Sequence, residues 1–189
     1  MAQWQDRYWN SKDGLRLHYR DYAGPAERPP ILCLPGLTRN ARDFEPVADR
    51  LAGEWRVIAV DFRGRGQSEY DPNPANYEPR TYAADVLKLL DQLGIADAVF
   101  FGTSLGGIVT MLMSTTDSER IAGAVINDIG PVVEDEGVGD PHVVVRLDAA
   151  VGPLAIEAPG EALPLLRRIV GKGDAVPERG RLRGLFPAA

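Results

Sequence analysis

The sequence predicts an α/β fold, in which a mostly parallel sheet carries helices on both faces. From the N-terminus to about residue 130, short apolar runs alternate with segments that have one apolar helical face. A Gly-x-Ser-x-Gly pattern also lies between an apolar run and a helical segment, as at a tight strand-to-helix turn. With 189 residues, the chain is long enough for one core and too short for two domains of ordinary size.

Four mostly apolar runs are the predicted inner strands, and they comprise residues 30–34, 56–60, 98–101 and 121–126. Such continuous runs are typical of strands that are buried on both faces. Residues 15–22 instead alternate apolar with polar side chains, which predicts a half-exposed strand near an edge of the sheet. His18 belongs to the polar side of that strand and is therefore predicted to be a surface residue.

Three helices are predicted between these runs. Asn40 can cap the first helix, whose apolar face consists of Phe44, Val47, Ala48 and Leu51. The second has its apolar face within residues 82–93 and ends at Gly94. The third begins at Leu105 and is apolar almost throughout, which predicts a largely buried helix.

Composition narrows the choice of partner and compartment. A net charge of −6 and a pI near 5 argue against nucleic acid or an anionic membrane as a partner, so we expect a small-molecule substrate. Cys33 is the only cysteine, so no intrachain disulfide is possible. The first residues contain no apolar signal region, and no later run is long enough to span a bilayer. A cytoplasmic location is therefore predicted, whereas the oligomeric state is not indicated.

Ser104 is the predicted nucleophile, because a serine on the turn between a buried strand and a helix has its hydroxyl exposed at the carboxyl edge of the sheet. Gly102 and Gly106 flank it, and any Cβ at those positions would collide across the turn. The backbone N–H of Leu105, at the start of the helix, can then bind a developing oxyanion.

Residues 10–135 resemble the α/β-hydrolase family in three segments. These are the Leu34-Pro35-Gly36-Leu37-Thr38 loop, the Asp61-x-Arg63-Gly64-x-Gly66-x-Ser68 loop and the Ser104 elbow. The resemblance implies a truncated form of the three-layer α/β-hydrolase fold, with the N–H of Leu37 as the second oxyanion donor. It also implies hydrolysis of a small ester, lactone or activated ketone through an acyl-enzyme, without a metal or an organic cofactor.

Several polar residues have both a functional and a structural interpretation. Asp128 follows the 121–126 strand and is a possible triad acid, because some members of the family place the acid there; the alternative is a carboxylate that braces its own loop. Asp61, Arg63 and Ser68 could contact substrate, but such residues in a tight loop usually bond to nearby backbone, and we favour that interpretation.

The catalytic base is the missing part of the pattern. A serine hydroxyl needs a histidine within hydrogen-bond reach, and the chain contains only His18 and His142. The strand order of the family puts His18 far from Ser104, and His142 follows Pro141 where the lid of the family normally begins. We therefore predict a serine hydrolase that is impaired by loss of its triad histidine. The alternative is a non-catalytic truncated remnant, either a frameshifted product or a binding module.

The predicted core ends at residue 136, and residues 137–189 form an atypical tail in place of the lid and distal strands. The tail contains no Ser, Thr, Asn, Gln, Tyr or Trp and is rich in Gly, Ala, Pro and Arg. It is either a divergent lid or the product of a reading frame that shifted near residue 137, because a shifted frame loses binary patterning. Without distal strands, the 121–126 strand is predicted to be a bare apolar edge.

Overall fold

The computed structural model of the protein describes residues 1–127 and the backbone of residues 142–145. The strands are β1 (Trp4–Asn10), β2 (Arg16–Tyr22), β3 (Ile31–Leu34), β4 (Val57–Val60), β5 (Ala98–Thr103), β6 (Ile121–Asn127) and β7 (His142–Val145). The α-helices are α1 (Glu45–Leu51), α2 (Pro79–Leu93) and α3 (Leu105–Thr116), and short 3₁₀ helices occur at Ala41–Phe44, Pro74–Asn76 and Ser118–Arg120. Within these residues, no helix is long and apolar enough to cross a membrane.

All seven strands form one sheet in the order β1-β2-β4-β3-β5-β6-β7. The four inner strands β4, β3, β5 and β6 are parallel, whereas β1, β2 and β7 pair antiparallel with their neighbours. The carboxyl ends of the parallel strands therefore meet at one edge, and the loops that follow β3, β4 and β5 lie side by side there. The predicted mostly parallel sheet is confirmed.

Helices cover both faces of the sheet, so the predicted three-layer arrangement is confirmed. α2 and α3 pack on one face with Leu32 and Leu34 of β3. α1 packs on the other face with Ile31 and Cys33, the residues that alternate with them. Cys33 is completely buried, and burial raises the pKa of its thiol, which agrees with a packing role.

Local signals place the helices where the sequence predicts them. The Asn40 side chain accepts a hydrogen bond from the N–H of Arg42 and caps the 3₁₀ turn that leads into α1. α2 starts with Pro79 and ends at Gly94, whose φ of 64° is the left-handed conformation that favours glycine.

The N-terminal edge differs from the prediction. β1 pairs along the full length of β2, so β2 lies near the edge as predicted, but it is mostly buried and not half-exposed. His18 is only 1% exposed, and its prediction as a surface residue is wrong. Its ring centroid lies 5.2 Å from that of Tyr8 on β1, and its Nδ1 bonds to Asp61 in the loop after β4. β1 itself carries mostly polar, exposed side chains, which are common on edge strands and give no apolar periodicity.

The opposite edge also differs from the prediction. β7 pairs antiparallel with β6 from Ala124↔Val145 to Asn127↔His142. The prediction that β6 is a bare edge is therefore wrong over this stretch, because the Val-rich residues 142–145 supply the β-branched side chains typical of a strand. The predicted boundary at residue 136 and the rest of the tail lie outside the described residues and stay predictions.

Candidate active site

The Ser104 elbow is formed by backbone geometry. Ser104 has φ 50° and ψ −113° and is the one non-glycine residue with positive φ in the described part of the chain. Its N–H donates to the carbonyl of Asn127 on β6 at 3.0 Å, and its carbonyl accepts the N–H of Ile108 at 3.1 Å. Strained backbone of this kind persists only where the surrounding structure enforces it and is frequent at active sites.

Two glycines make this elbow possible. A Cβ on Gly102 would lie 2.5 Å from the carbonyl oxygen of Gly106, across the turn. A Cβ on Gly106 would lie 2.1 Å from the carbonyl oxygen of Leu34 at the end of β3. Both contacts are with backbone and cannot be relieved by a side-chain rotation, so the predicted requirement for glycine at these positions is confirmed.

The Ser104 hydroxyl is half-buried and makes no capping hydrogen bond to α3. Within residues 1–127, the hydrogen bonds of Ser104 involve its backbone N–H and carbonyl and not its hydroxyl. The hydroxyl is thus held at the carboxyl edge of the sheet with its donor and acceptor capacity unused by the described residues.

The two predicted oxyanion donors belong to segments that adjoin Ser104. Leu105 is the first residue of α3, so its N–H has no acceptor within the helix. Leu37 follows Gly36, and a Cβ built on Gly36 would lie 3.6 Å from the Cβ of Ser104. No residue of the described ranges accepts a hydrogen bond from the N–H of Leu37 or Leu105. The structure therefore brings the β3 loop, the elbow and α3 together; the roles of the two N–H groups stay predictions.

Arg65 anchors the β3 loop, a role that its sequence context does not predict. Its Nε donates to the carbonyl oxygen of Leu37, and its Nη1 donates to the carbonyl of Arg63 at 3.1 Å and to the Tyr82 hydroxyl at 3.2 Å. The sequence shows only a basic residue between Gly64 and Gly66, and this does not indicate what its side chain contacts.

Asp61 connects the loop after β4 with the 3₁₀ helix that follows β3 and with strand β2. Its carboxylate accepts the N–H of Ala41 at 2.7 Å, the N–H of Gln67 at 2.9 Å and a hydrogen bond from Nδ1 of His18 at 2.7 Å. Burial opposes ionisation, but these hydrogen bonds outweigh it and lower the pKa of Asp61 below its usual value. The Ser68 hydroxyl donates to the Asp61 carbonyl at 2.7 Å. The structural interpretation of Asp61 and Ser68 is confirmed.

Arg63 is buried and also has a structural role. Its guanidinium bonds to Asp85 at 2.7 and 2.8 Å, to Asp13 at 2.9 Å and to Asp71 at 2.5 Å. The hydrogen bond from Arg63 lowers the pKa of Asp13 to about 2. Burial raises the pKa of Asp85, although its hydrogen bond with Arg63 acts in the opposite direction. Arg63 thereby joins the β1–β2 turn, the β4 loop and α2 through one cation.

His18 does not serve Ser104. Burial alone would lower the pKa of His18, but its hydrogen bonds to Asp61 and to Asp6, at 2.9 Å, raise the pKa above the ordinary value. β4 and β3 separate its strand from β5, and three interstrand spacings amount to about 14 Å. The expectation that His18 is remote from the elbow is confirmed.

The two other candidates lie at the limit of the described residues. Asp128 follows β6 directly and is outside them. For His142 only the backbone is described, and it pairs with Asn127, the residue whose carbonyl accepts the Ser104 N–H. One strand, β6, therefore lies between the backbone of His142 and β5.

Comparison with known proteins gives consistent matches. A family model described as alpha/beta hydrolase fold matches residues 29–152, which extends past the predicted core boundary at residue 136. The 3-hydroxybutyrate-oligomer hydrolase of Cupriavidus necator is 32% identical over 168 residues, which cover 88% of this chain and 55% of that protein. The 2-(acetamidomethylene)succinate hydrolase of Mesorhizobium japonicum is 33% identical over 110 residues, which cover 58% of this chain and 39% of that protein.

A solved structure agrees with these matches. The crystal structure of an alpha/beta hydrolase from Novosphingobium aromaticivorans is 57% identical, with a TM-score of 0.69, and the match covers 72% of this chain and 48% of that one. The chain thus spans about half the length, or less, of the relatives that it matches.

Proposed function

Because this chain belongs to the α/β-hydrolase fold family, we propose that it is a serine-type hydrolase that cleaves a small ester, lactone or activated ketone through an acyl-enzyme. The observation that carries the proposal is the strained Ser104 elbow, next to which the N–H groups of Leu37 and Leu105 have no acceptor among the described residues. Matched relatives are named as hydrolases of 3-hydroxybutyrate oligomers and of 2-(acetamidomethylene)succinate, which supports hydrolysis and leaves the bond type open.

The proposed reaction uses Ser104 twice. Its oxygen attacks the substrate carbonyl carbon while a base takes the hydroxyl proton, and the carbonyl electron pair moves to an oxyanion held by the N–H groups of Leu37 and Leu105. Collapse expels the leaving group, which takes a proton, and leaves an acyl-serine. Water then attacks the acyl carbon. Its hydroxyl becomes part of the acid product, and its proton returns to the Ser104 oxygen, which frees the enzyme.

We further propose that this chain turns over slowly. Ser104 has no basic partner within residues 1–127, and His18 is committed to Asp61 and Asp6. Loss of a triad base in a serine hydrolase removes a factor of about 10⁶ in turnover, and the oxyanion donors and binding retain roughly 10³–10⁴ over water. Asp128 is the proposed acid if a histidine is supplied near the elbow.

The second candidate is a binding module without turnover. The same observation, a Ser104 hydroxyl without a described hydrogen-bond partner, favours it. Both candidates place a small molecule at the carboxyl edge of the sheet, and they differ only in whether Ser104 becomes acylated.

Hydrolysis of 4-nitrophenyl acetate by the full chain separates these candidates. We expect the full chain to release 4-nitrophenol slowly, but faster than buffer alone. The release should be absent in Ser104→Ala and unchanged in Ser114→Ala. Ser114 is the matched control, because it lies on α3 and its hydroxyl bonds to the Met111 carbonyl. Equal rates in Ser104→Ala and the parent would reject the hydrolase. His142→Ala should change the rate little, and abolished turnover would identify His142 as the base.

A further inference from the structure

Arg39 lies directly beside the Ser104 elbow. A Cβ built on Gly36 would lie 3.4 Å from the Cγ of Arg39 and 3.6 Å from the Cβ of Ser104, so the two side chains adjoin the same glycine. The N–H of Arg39 donates to the Gly36 carbonyl at 3.1 Å, which closes the turn and fixes where the side chain leaves the loop. Arg39 is therefore part of the rim around the candidate nucleophile.

The guanidinium of Arg39 has unused binding capacity. Its Nε donates to Asp43, and neither Nη1 nor Nη2 has a hydrogen-bond partner among the described residues. The buried Arg63 differs, because its guanidinium bonds to carboxylates on several sides. That arrangement shows that one guanidinium can bind more than one carboxylate, so the contact with Asp43 leaves room for another.

The rim also has apolar side chains. Leu37, two residues before Arg39, is 59% exposed, and Ile108 on the first turn of α3 is 38% exposed. Their side chains can contact a short aliphatic segment, whereas the net charge of −6 gives the chain as a whole no attraction for anions. Preferential binding of an anionic substrate would therefore depend on the positive charge of Arg39.

We propose that Arg39 binds a carboxylate of the substrate, so that the preferred substrate carries a carboxylate a few carbons away from the bond that is cleaved. The inference rests on the proposed function in taking Ser104 as the reacting residue. A planar guanidinium pairs with a carboxylate through two parallel N–H···O bonds, which orients the substrate as well as attracting it. Arg39 thus acts as a specificity determinant.

Ligand binding to the full chain carrying Ser104→Ala tests the proposal without requiring turnover. The probes are monomethyl glutarate, a monoanion at neutral pH, and dimethyl glutarate, its neutral counterpart, titrated by ligand-observed NMR. We expect the monoanion to bind about tenfold more tightly, because hydrogen bonds between charged groups are stronger than neutral ones. The preference should decrease as salt is raised, since the Arg39 side chain is 64% exposed.

Substitutions then assign the preference to Arg39. Adding Arg39→Gln should make the two dissociation constants equal, and Arg39→Lys should restore part of the preference through charge alone. Arg28→Gln is the matched control, because Arg28 is exposed and precedes β3 at the opposite edge of the sheet. A preference that survives Arg39→Gln, equal binding in the parent, or no binding of either ester would overturn the proposal.

The outcome is separable from that of the proposed function. A carboxylate preference in a chain whose Ser104 never becomes acylated would retain the Arg39 subsite and reject the hydrolase. An acylated Ser104 without any such preference would retain the hydrolase and reject the subsite.

Discussion

Two adjacent regions at the carboxyl edge of the sheet position their polar groups in opposite ways. The Ser104 elbow is shaped by backbone and by glycines, and it leaves one hydroxyl without a described partner. The neighbouring charged cluster is defined as His18, Asp61, Arg63 and Asp85. Every side chain in it is buried and hydrogen-bonded. The first region presents the candidate nucleophile, whereas the second connects the loops near it.

The difference shows why a close histidine–aspartate pair is not by itself a catalytic dyad. His18 and Asp61 are 2.7 Å apart, as in a triad, but the Asp61 carboxylate is also held by the N–H groups of Ala41 and Gln67. The other ring nitrogen of His18 bonds to Asp6. Both nitrogens of this histidine are engaged, and β4 and β3 lie between it and the candidate nucleophile. It can brace loops but cannot accept the Ser104 proton.

The largest effect is expected for Arg63→Met in the charged cluster. The substitution leaves Asp85 buried without its counter-charge, and breaking one side of a buried ion pair costs about 3–5 kcal/mol in free energy of unfolding. Urea denaturation measures the loss. The surface control Arg28→Met should change stability by less than about 0.5 kcal/mol. A loss in Arg63→Met no larger than in this control would contradict the structural role of the cluster.

The elbow can be tested by adding one methyl group. Gly106→Ala places a Cβ 2.1 Å from the Leu34 carbonyl oxygen, and we expect a loss of about 2–3 kcal/mol in unfolding free energy. Gly123→Ala on β6 is the matched control, since nothing lies within 4 Å of its added Cβ. Alanine ordinarily stabilises a helix relative to glycine, so a more stable Gly106→Ala would show that the elbow is not as tight as described.

The smallest effect concerns the pH dependence of the charged cluster. The pKa of His18 is raised in the folded state by Asp61 and Asp6 despite burial. The charged His18 therefore stabilises the fold fully at pH values below the pKa of the unfolded state, which is near 6.5. This stabilisation is lost as the pH rises through the pKa of the folded state. Asp61 stays ionised over this range, because its pKa is lowered.

Replacement of the histidine makes this pH dependence measurable. We expect the parent to exceed His18→Gln in unfolding free energy by about 1–3 kcal/mol near pH 6, because the variant leaves buried hydrogen-bonding groups poorly satisfied. The advantage should shrink by pH 9 in urea titrations at the two values. An advantage that grows with pH would show that His18 is neutral in the folded protein.

The sequence predicts the inner part of this fold well and its polar contacts poorly. The inner strands, the helix capped by Asn40 and the elbow follow from short-range patterns, since apolar periodicity, caps and glycine spacing act within a few residues. β1 was not predicted, because its exposed polar side chains show no apolar periodicity. The contacts of His18 and Arg65 could not be predicted because their partners are distant in sequence, Asp61 for His18 and Leu37 for Arg65.

Labelling by a fluorophosphonate tests most directly whether the elbow makes Ser104 the reactive group. The full chain would be incubated with the probe and analysed by intact mass and by peptide mapping, with Ser104→Ala and Ser114→Ala treated in parallel. We predict one slow adduct per chain, located on Ser104, absent in Ser104→Ala and retained in Ser114→Ala. No adduct on the parent chain, or an adduct that persists in Ser104→Ala, would contradict the assignment of Ser104 as the nucleophile.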